Sequence, residues 1–283
     1  MLMLIRSSAL FVLSIIVAGC SESDDANFQA PDFPTGPGRV FSVQTVSFTT
    51  SDNVLVSARF GQNRNSGPSP VVILLHDITL NGREWELQGL GLGMMERLLE
   101  EGFLVLIIDS RGHGLTPLPD DGRPSSGLVV GDINNLHLEV RAALNWLATQ
   151  PSADRSRIGV MGTGMGANAA YVSMGAFPNE LQAGVALSPG IFNLSTRESL
   201  GVGTGIASFA PHSMFFVASQ GDFILVDDTG GVAPASSIAE GLHDLTAEPK
   251  QFSSRPDNLH GSLLFQDPVV FDAVLAWLKT HLM

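Results

Sequence analysis

Five short runs without a polar residue, 71–75, 103–108, 158–161, 183–187 and 214–218, constrain this chain more than any other feature. None alternates apolar with polar residues, as a strand with one wet face would. Short continuous apolar runs bounded by turn signals suit strands covered on both faces, the situation of a parallel sheet. Stretches of helical character lie at 84–100, 131–149 and 165–176, and a last one at 268–281 places Val270, Val274, Trp277 and Leu278 at helical spacing. Strand alternating with helix predicts a wound α/β sheet. Ahead of it, 40–48 and 54–60 read as a pair of strands joined by a turn at Ser51, Asp52 and Asn53. A chain of 283 residues suits one large α/β domain or two small ones, and no repeat or second boundary follows Gly38, so one domain is expected over 40–283.

Charge and cysteine usage exclude several function classes. With 15 Lys+Arg against 28 Asp+Glu, the net charge of −13 argues against nucleic acid as a partner. The single cysteine, Cys20, rules out an intrachain disulfide and a Cys-cluster metal site. Its setting explains it. Arg6 is the only charge before an uncharged, mostly apolar stretch over 7–19, too short for a stable span but suited to an export signal. The ending Val17, Ala18, Gly19, Cys20 resembles the lipobox of bacterial lipoproteins. That resemblance implies removal of residues 1–19, a lipid on Cys20, and a location in the cell envelope. Ser21, rather than Asp, after the cysteine favours the outer membrane, facing the periplasm. Residues 20–39, rich in Ser, Asp, Pro and Gly, read as a flexible tether.

Open α/β sheets place ligand sites beyond the carboxyl ends of their strands. The third strand ends in His76, Asp77 and Ile78, with Trp85 further on. The fourth ends in Asp109-Ser-Arg-Gly-His-Gly114, and the fifth runs into Gly162-Thr-Gly-Met-Gly-Ala-Asn168, opening a helix. The seventh leads to Asp222, and His260 precedes the last helix. In these motifs the chain resembles the α/β-hydrolase family, closest to its dienelactone-hydrolase-like and serine-aminopeptidase-like branch. The resemblance implies a mostly parallel central sheet flanked by helices. It makes Gly162–Gly166 the nucleophile elbow, Asp222 the acid and His260 the base, and gives the oxyanion hole to the backbone N–H groups of Ile78 and Met165. It implies no cofactor, and a small acyl or ester compound as ligand. The 189–213 connection is short and rich in Gly, Ser and Thr, which argues for an open cleft without a full lid domain.

The nucleophile position holds Gly164, so the oxygen that acyl transfer requires is missing. Three readings follow: a pseudo-hydrolase with a binding or scaffold role; a hydrolase in which His260, held by Asp222, activates a water lodged in the space the serine would fill, or which uses another nucleophile; or an ordinary esterase whose serine has been exchanged. Thr163 is a poor substitute, because its side chain is expected to point away from the elbow tip. Asp77 stands where the family commonly has glycine; its side chain would either crowd the oxyanion pocket or face solvent, and the second is expected. Asp227 and Asp228 are alternative acids, expected to be solvated. Residues 109–114 are expected to shape the loop beside the site, and His137 to be structural. His76, His113, His212 and His243 show no metal-ligand spacing. The elbow lacks the third glycine and acidic partner of a dinucleotide loop. Gly89, Gly91 and Gly93 read as a broken or closely packed helix start.

Overall fold

The computed structural model describes residues 41–63, 67–86, 93–119, 132, 134–190, 211–225 and 232–283. The expected signal, Cys20 and the 20–39 tether lie outside the described residues, as do Gly89, Gly91, Asp227, Asp228 and residues 191–210 of the 189–213 connection.

An eight-stranded mixed sheet carries the fold. Its strands are β1 (Phe41–Thr49), β2 (Leu55–Asn63), β3 (Ser69–Leu75), β4 (Leu104–Ile108), β5 (Ala153–Thr163), β6 (Ala183–Leu187), β7 (His212–Ser219) and β10 (Ala247–Arg255). Their order is β1-β2-β4-β3-β5-β6-β7-β10. The β1–β2 and β2–β4 pairs are antiparallel and the others parallel. The five apolar runs are β3 to β7, and every residue of β3, β4 and β6 is buried.

Alternation along β3 shows why both faces must be apolar. Val71, Ile73 and Leu75 pack into one core layer with residues of helices α2 (Leu136–Leu147), α3 (Met165–Ala176) and α4 (Ala235–Leu245). Val72 and Leu74 pack into the other, with α1 (Met94–Glu100) and α5 (Pro268–Leu282). Each such side chain contributes about 1.5–3 kcal/mol on burial. Among the described residues, no helix is long and apolar enough to cross a membrane.

Two features depart from the sequence reading. Of the stretch expected as a helix over 84–100, the described residues hold a 3-10 turn at Gly82–Trp85 and a helix from Met94, with Gly93 in the left-handed region at φ 77°. The expected helix over 131–149 is met by helical Asp132 and Asn134 and by α2 from Leu136 to Leu147. Between β7 and the last helix lie a hairpin, β8 (Phe223–Leu225) and β9 (Val232–Pro234), then α4 and β10, none of which the apolar pattern announced. β10 is an edge strand with no buried residue, and α4 buries mainly small side chains.

The order reverses at β3: the chain goes next to β4 on one side, and β5 takes the other. Loops leaving β3 and β5 therefore diverge above two hydrogen-bonded strands, Leu75 lying opposite Gly162. A crevice at such a switch point is where this architecture binds ligands.

Candidate active site

Gly164 turns β5 into α3 with φ 49° and ψ −113°, a backbone conformation that an L side chain rarely adopts. Its neighbours permit no side chain either. A Cβ on Gly162 would lie 2.1 Å from the carbonyl oxygen of Gly166, and one on Gly166 would lie 2.3 Å from that of Leu75. The strand-to-helix turn is therefore tight at all three glycines, with the N–H of Met165 free of the helix ladder at its first turn.

His260 sits between two carboxylates. Its Nδ1 donates to Asp222 Oδ2 at 2.8 Å and its Nε2 to Asp77 Oδ2 at 3.0 Å. The loop is pinned on both sides of the ring: Ser219 Oγ donates to the carbonyl of Leu259 at 2.8 Å, and the N–H of Gly261 donates to Ser188 Oγ at 2.9 Å. Asp222 is anchored at the mouth of the hairpin, its carbonyl accepting from the N–H of Ala235 at 2.7 Å. Hydrogen bonds to Asp222 and then Asp77 raise the imidazole pKa to about 10, against the opposing effect of burial. At neutral pH the ring is an imidazolium.

Asp77 overturns the expectation of a solvent-facing side chain. The residue is 8 % exposed. Its Oδ1 accepts from the backbone N–H of Ile78 at 2.6 Å and of Met165 at 3.0 Å, the two groups assigned to the oxyanion hole. A Cβ on Gly164 would lie 2.0 Å from Asp77 Oδ1 and 2.4 Å from its Cγ. The space that the missing serine appeared to leave for a water thus holds a carboxylate. Burial alone would raise the Asp77 carboxyl, but the hydrogen bonds from His260, Met165 and Ile78 outweigh it and hold the group below the usual range.

Glu84 lies behind this carboxylate and was not anticipated. It accepts from the N–H of Asp77 at 3.1 Å and from Thr163 Oγ1 at 3.0 Å, and Ser262 also bonds to it. Burial raises it to about 7, and the Asp77 charge adds to the rise. Thr163 is spent on Glu84 and does not present its hydroxyl at the elbow tip. His76 donates through Nδ1 to the carbonyl of Asp77 at 2.7 Å and accepts at Nε2 from the N–H of Ser110 at 2.9 Å. That pattern needs the neutral ring, and burial lowers its pKa to about 4.

The remaining candidates have structural partners. Asp109 accepts from the N–H groups of Gly82 and Leu115, and ties the loop after β4 to the 3-10 turn. His113 donates through Nε2 to the carbonyl of Ile78 at 2.6 Å, bracing the Asp77 loop from outside. His137 bonds the carbonyl of Asn134 at the start of α2. Among the described residues, no group of three or more His, Cys, Asp or Glu side chains is arranged to hold a metal ion.

Comparison with known proteins agrees with this architecture. The model of the Dienelactone hydrolase family matches residues 56–218. No curated protein matches the chain by sequence. Among solved structures, the Pyrococcus furiosus esterase Pf2001 is similar at a TM-score of 0.63 with 23% identity, covering 86% of this chain and 94% of that one. The acetyl xylan esterase from Paenibacillus sp. R4 is similar at 0.66 with 18% identity, covering 89% and 87%. The hypothetical protein PA2218 from Pseudomonas aeruginosa is similar at 0.64 with 13% identity, covering 88% and 96%. At these identities the likeness concerns the fold.

Proposed function

Since the chain belongs to the dienelactone hydrolase family, we propose that it is a member disarmed for acyl transfer, held at the outer membrane by lipid on Cys20 and acting there by binding or scaffolding. The observation that carries the reading is the carboxylate of Asp77 beside Gly164, in the space a serine side chain would need. A covalent acyl intermediate requires an activated nucleophile there, and removing it from a comparable triad costs about 10⁶ in kcat. The water-activation route is disfavoured by His260, whose Nε2 is already committed to Asp77 and whose raised pKa makes it a poor base at neutral pH.

The test is hydrolysis of short p-nitrophenyl esters by the purified protein, with fluorophosphonate labelling alongside. Turnover at the level of a His260→Ala variant, and no label, is the expected result. Ester turnover that His260→Ala abolishes would overturn the reading. For the anchor, Cys20→Ser is expected to release the protein from the membrane fraction; retention would remove the lipid from the proposal.

A further inference from the structure

Three hydrogen-bond donors on three separate loops converge on one planar, two-oxygen anion. The N–H of Ile78 comes from the loop after β3, the N–H of Met165 from the elbow, and Nε2 from His260. Together they satisfy both oxygens of the Asp77 carboxylate. Two of the donors are backbone groups, indifferent to which molecule brings the carboxylate to them. We infer that this site is a carboxylate receptor filled from within by Asp77, and that a free small carboxylate takes the same place once that side chain is removed.

Geometry and charge both support this. A bound carboxylate needs the volume above residue 164, and only glycine there leaves it open. The charged groups around His260 are consistent with an anion at Nε2. Asp222 engages Nδ1 and leaves Nε2 for a second partner. Glu84 touches the backbone of Asp77 rather than its carboxylate, and its raised pKa of about 7 keeps it largely neutral in weakly acidic solution. His76 is neutral and faces away, toward Ser110. The consequence is that a catalytic constellation becomes a clasp. Asp77 ties three loops together and denies the site to acyl ligands from outside. The inference rests, as the proposed function does, on the place of the Asp77 carboxylate beside Gly164.

The experiment is thermal unfolding of the purified protein and its Asp77→Gly variant at pH 6, with sodium formate as probe and sodium chloride at equal ionic strength as control. Asp77→Gly is expected to lower Tm by about 5–10 °C. Formate is expected to restore part of that loss saturably, to leave wild type unmoved, and to lose its effect in Asp77→Gly/His260→Ala. A formate response no larger than that to chloride, or an equal one in wild type, overturns the inference. Should Asp77→Gly fail to fold, Asp77→Asn keeps the bulk and removes the charge. The His260 ring, followed by NMR, is then expected to lose its proton at a clearly lower pH than in wild type, and an unchanged titration overturns the inference. Ester turnover by wild type would defeat the proposed function and leave the formate result standing, so the two can fail separately.

Discussion

Two clusters in this molecule share one plan, a cation between two carboxylates, and differ in what they are for. Arg111 bonds Glu139 through Nε at 2.8 Å and Asp52 through Nη1 at 2.7 Å, with its own side chain fully buried. His260 bonds Asp222 and Asp77 at 2.8 and 3.0 Å with 36% of its side chain exposed. The first cluster joins the β1–β2 turn and α2 to the loop after β4. The second uses an imidazole at the crevice, where the family places its base. A guanidinium holds its charge at any working pH, whereas an imidazole does not. The cation of the arrangement is therefore permanent in one place and titratable in the other. The titratable cluster is built on His260 and Asp222, the pair that the resemblance assigns as base and acid, in a structural setting.

The largest effect should come from breaking the permanent cluster. Arg111→Met leaves Glu139, already raised to about 7 by burial, without its cation. Removing one member of a buried ion pair costs about 3–5 kcal/mol. Urea unfolding should show that loss at pH 8, above the Glu139 value, and it should not shrink as the pH rises to 10. A loss that shrinks would mean Arg111 is not the ion that holds this cluster.

Asp77→Asn should cost less, and its cost should fade with pH. The amide turns one acceptor oxygen into a donor, which leaves an N–H of the elbow or His260 facing another donor. Hydrogen bonds to charged groups contribute about 1.5–3 kcal/mol, so a loss of about 2 kcal/mol at pH 6 is expected after allowing for the exposure of the ring. His260 has its folded pKa raised from 6.5 to about 10. Its contribution is complete below about pH 6.5 and is lost as the pH climbs through 10. Wild-type stability should therefore fall across that window, and the Asp77→Asn curve should fall less and approach it. Parallel curves would show that the pair does not titrate as a unit.

Gly164→Ser tests the steric half of the comparison. A residue other than glycine held at φ 49° and ψ −113° costs about 1–3 kcal/mol. The serine Cβ would also displace the Asp77 carboxylate, so the single variant should be less stable by about that much and should not label with a fluorophosphonate. In the Asp77→Gly background the clash is gone. The same substitution should cost less there, a measurable coupling, and the double variant should label. Equal labelling of single and double variants would show that Asp77 does not occupy the elbow tip.

These outcomes bear on how the site could be read from residues alone. The parallel core was legible because β3 to β7 are apolar throughout, and a strand covered on both faces can hardly be otherwise. The places of residues 162–166 and Asp222 after strands, and of His260 before the last helix, were legible from the sequence, while their roles are what the resemblance implies. Asp77 was legible only as one of two alternatives, crowding the oxyanion pocket or facing solvent, because a carboxylate beside a strand end ordinarily reads as solvated. The signal lay in a complementarity between distant positions, a side chain missing at 164 and one present at 77, which only contact in space reveals. Glu84 was hidden for a similar reason: its partners, Thr163, Ser262 and the N–H of Asp77, come from three other segments. β10 and α4 escaped because an edge strand without buried residues and a helix packing small side chains carry little apolar pattern.

At pH 5 Glu84→Gln should have the smallest effect, and its pH dependence separates support from charge. At pH 5 the wild-type carboxyl is protonated, its folded pKa being raised by burial from 4.5 to about 7. Glutamine imitates that form and still offers a carbonyl to the N–H of Asp77, so the change in stability there should stay within about 1 kcal/mol. Between pH 4.5 and 7 the unfolded wild-type chain releases this proton before the folded one does, so ionisation favours unfolding and wild-type stability declines with pH. The variant lacks that decline, and its advantage should grow up to about pH 7 and then level off. A variant that is much weaker already at pH 5 would mean that Glu84 acts on Asp77 through its charge, and that the clasp extends one carboxylate deeper than His260 and its two partners.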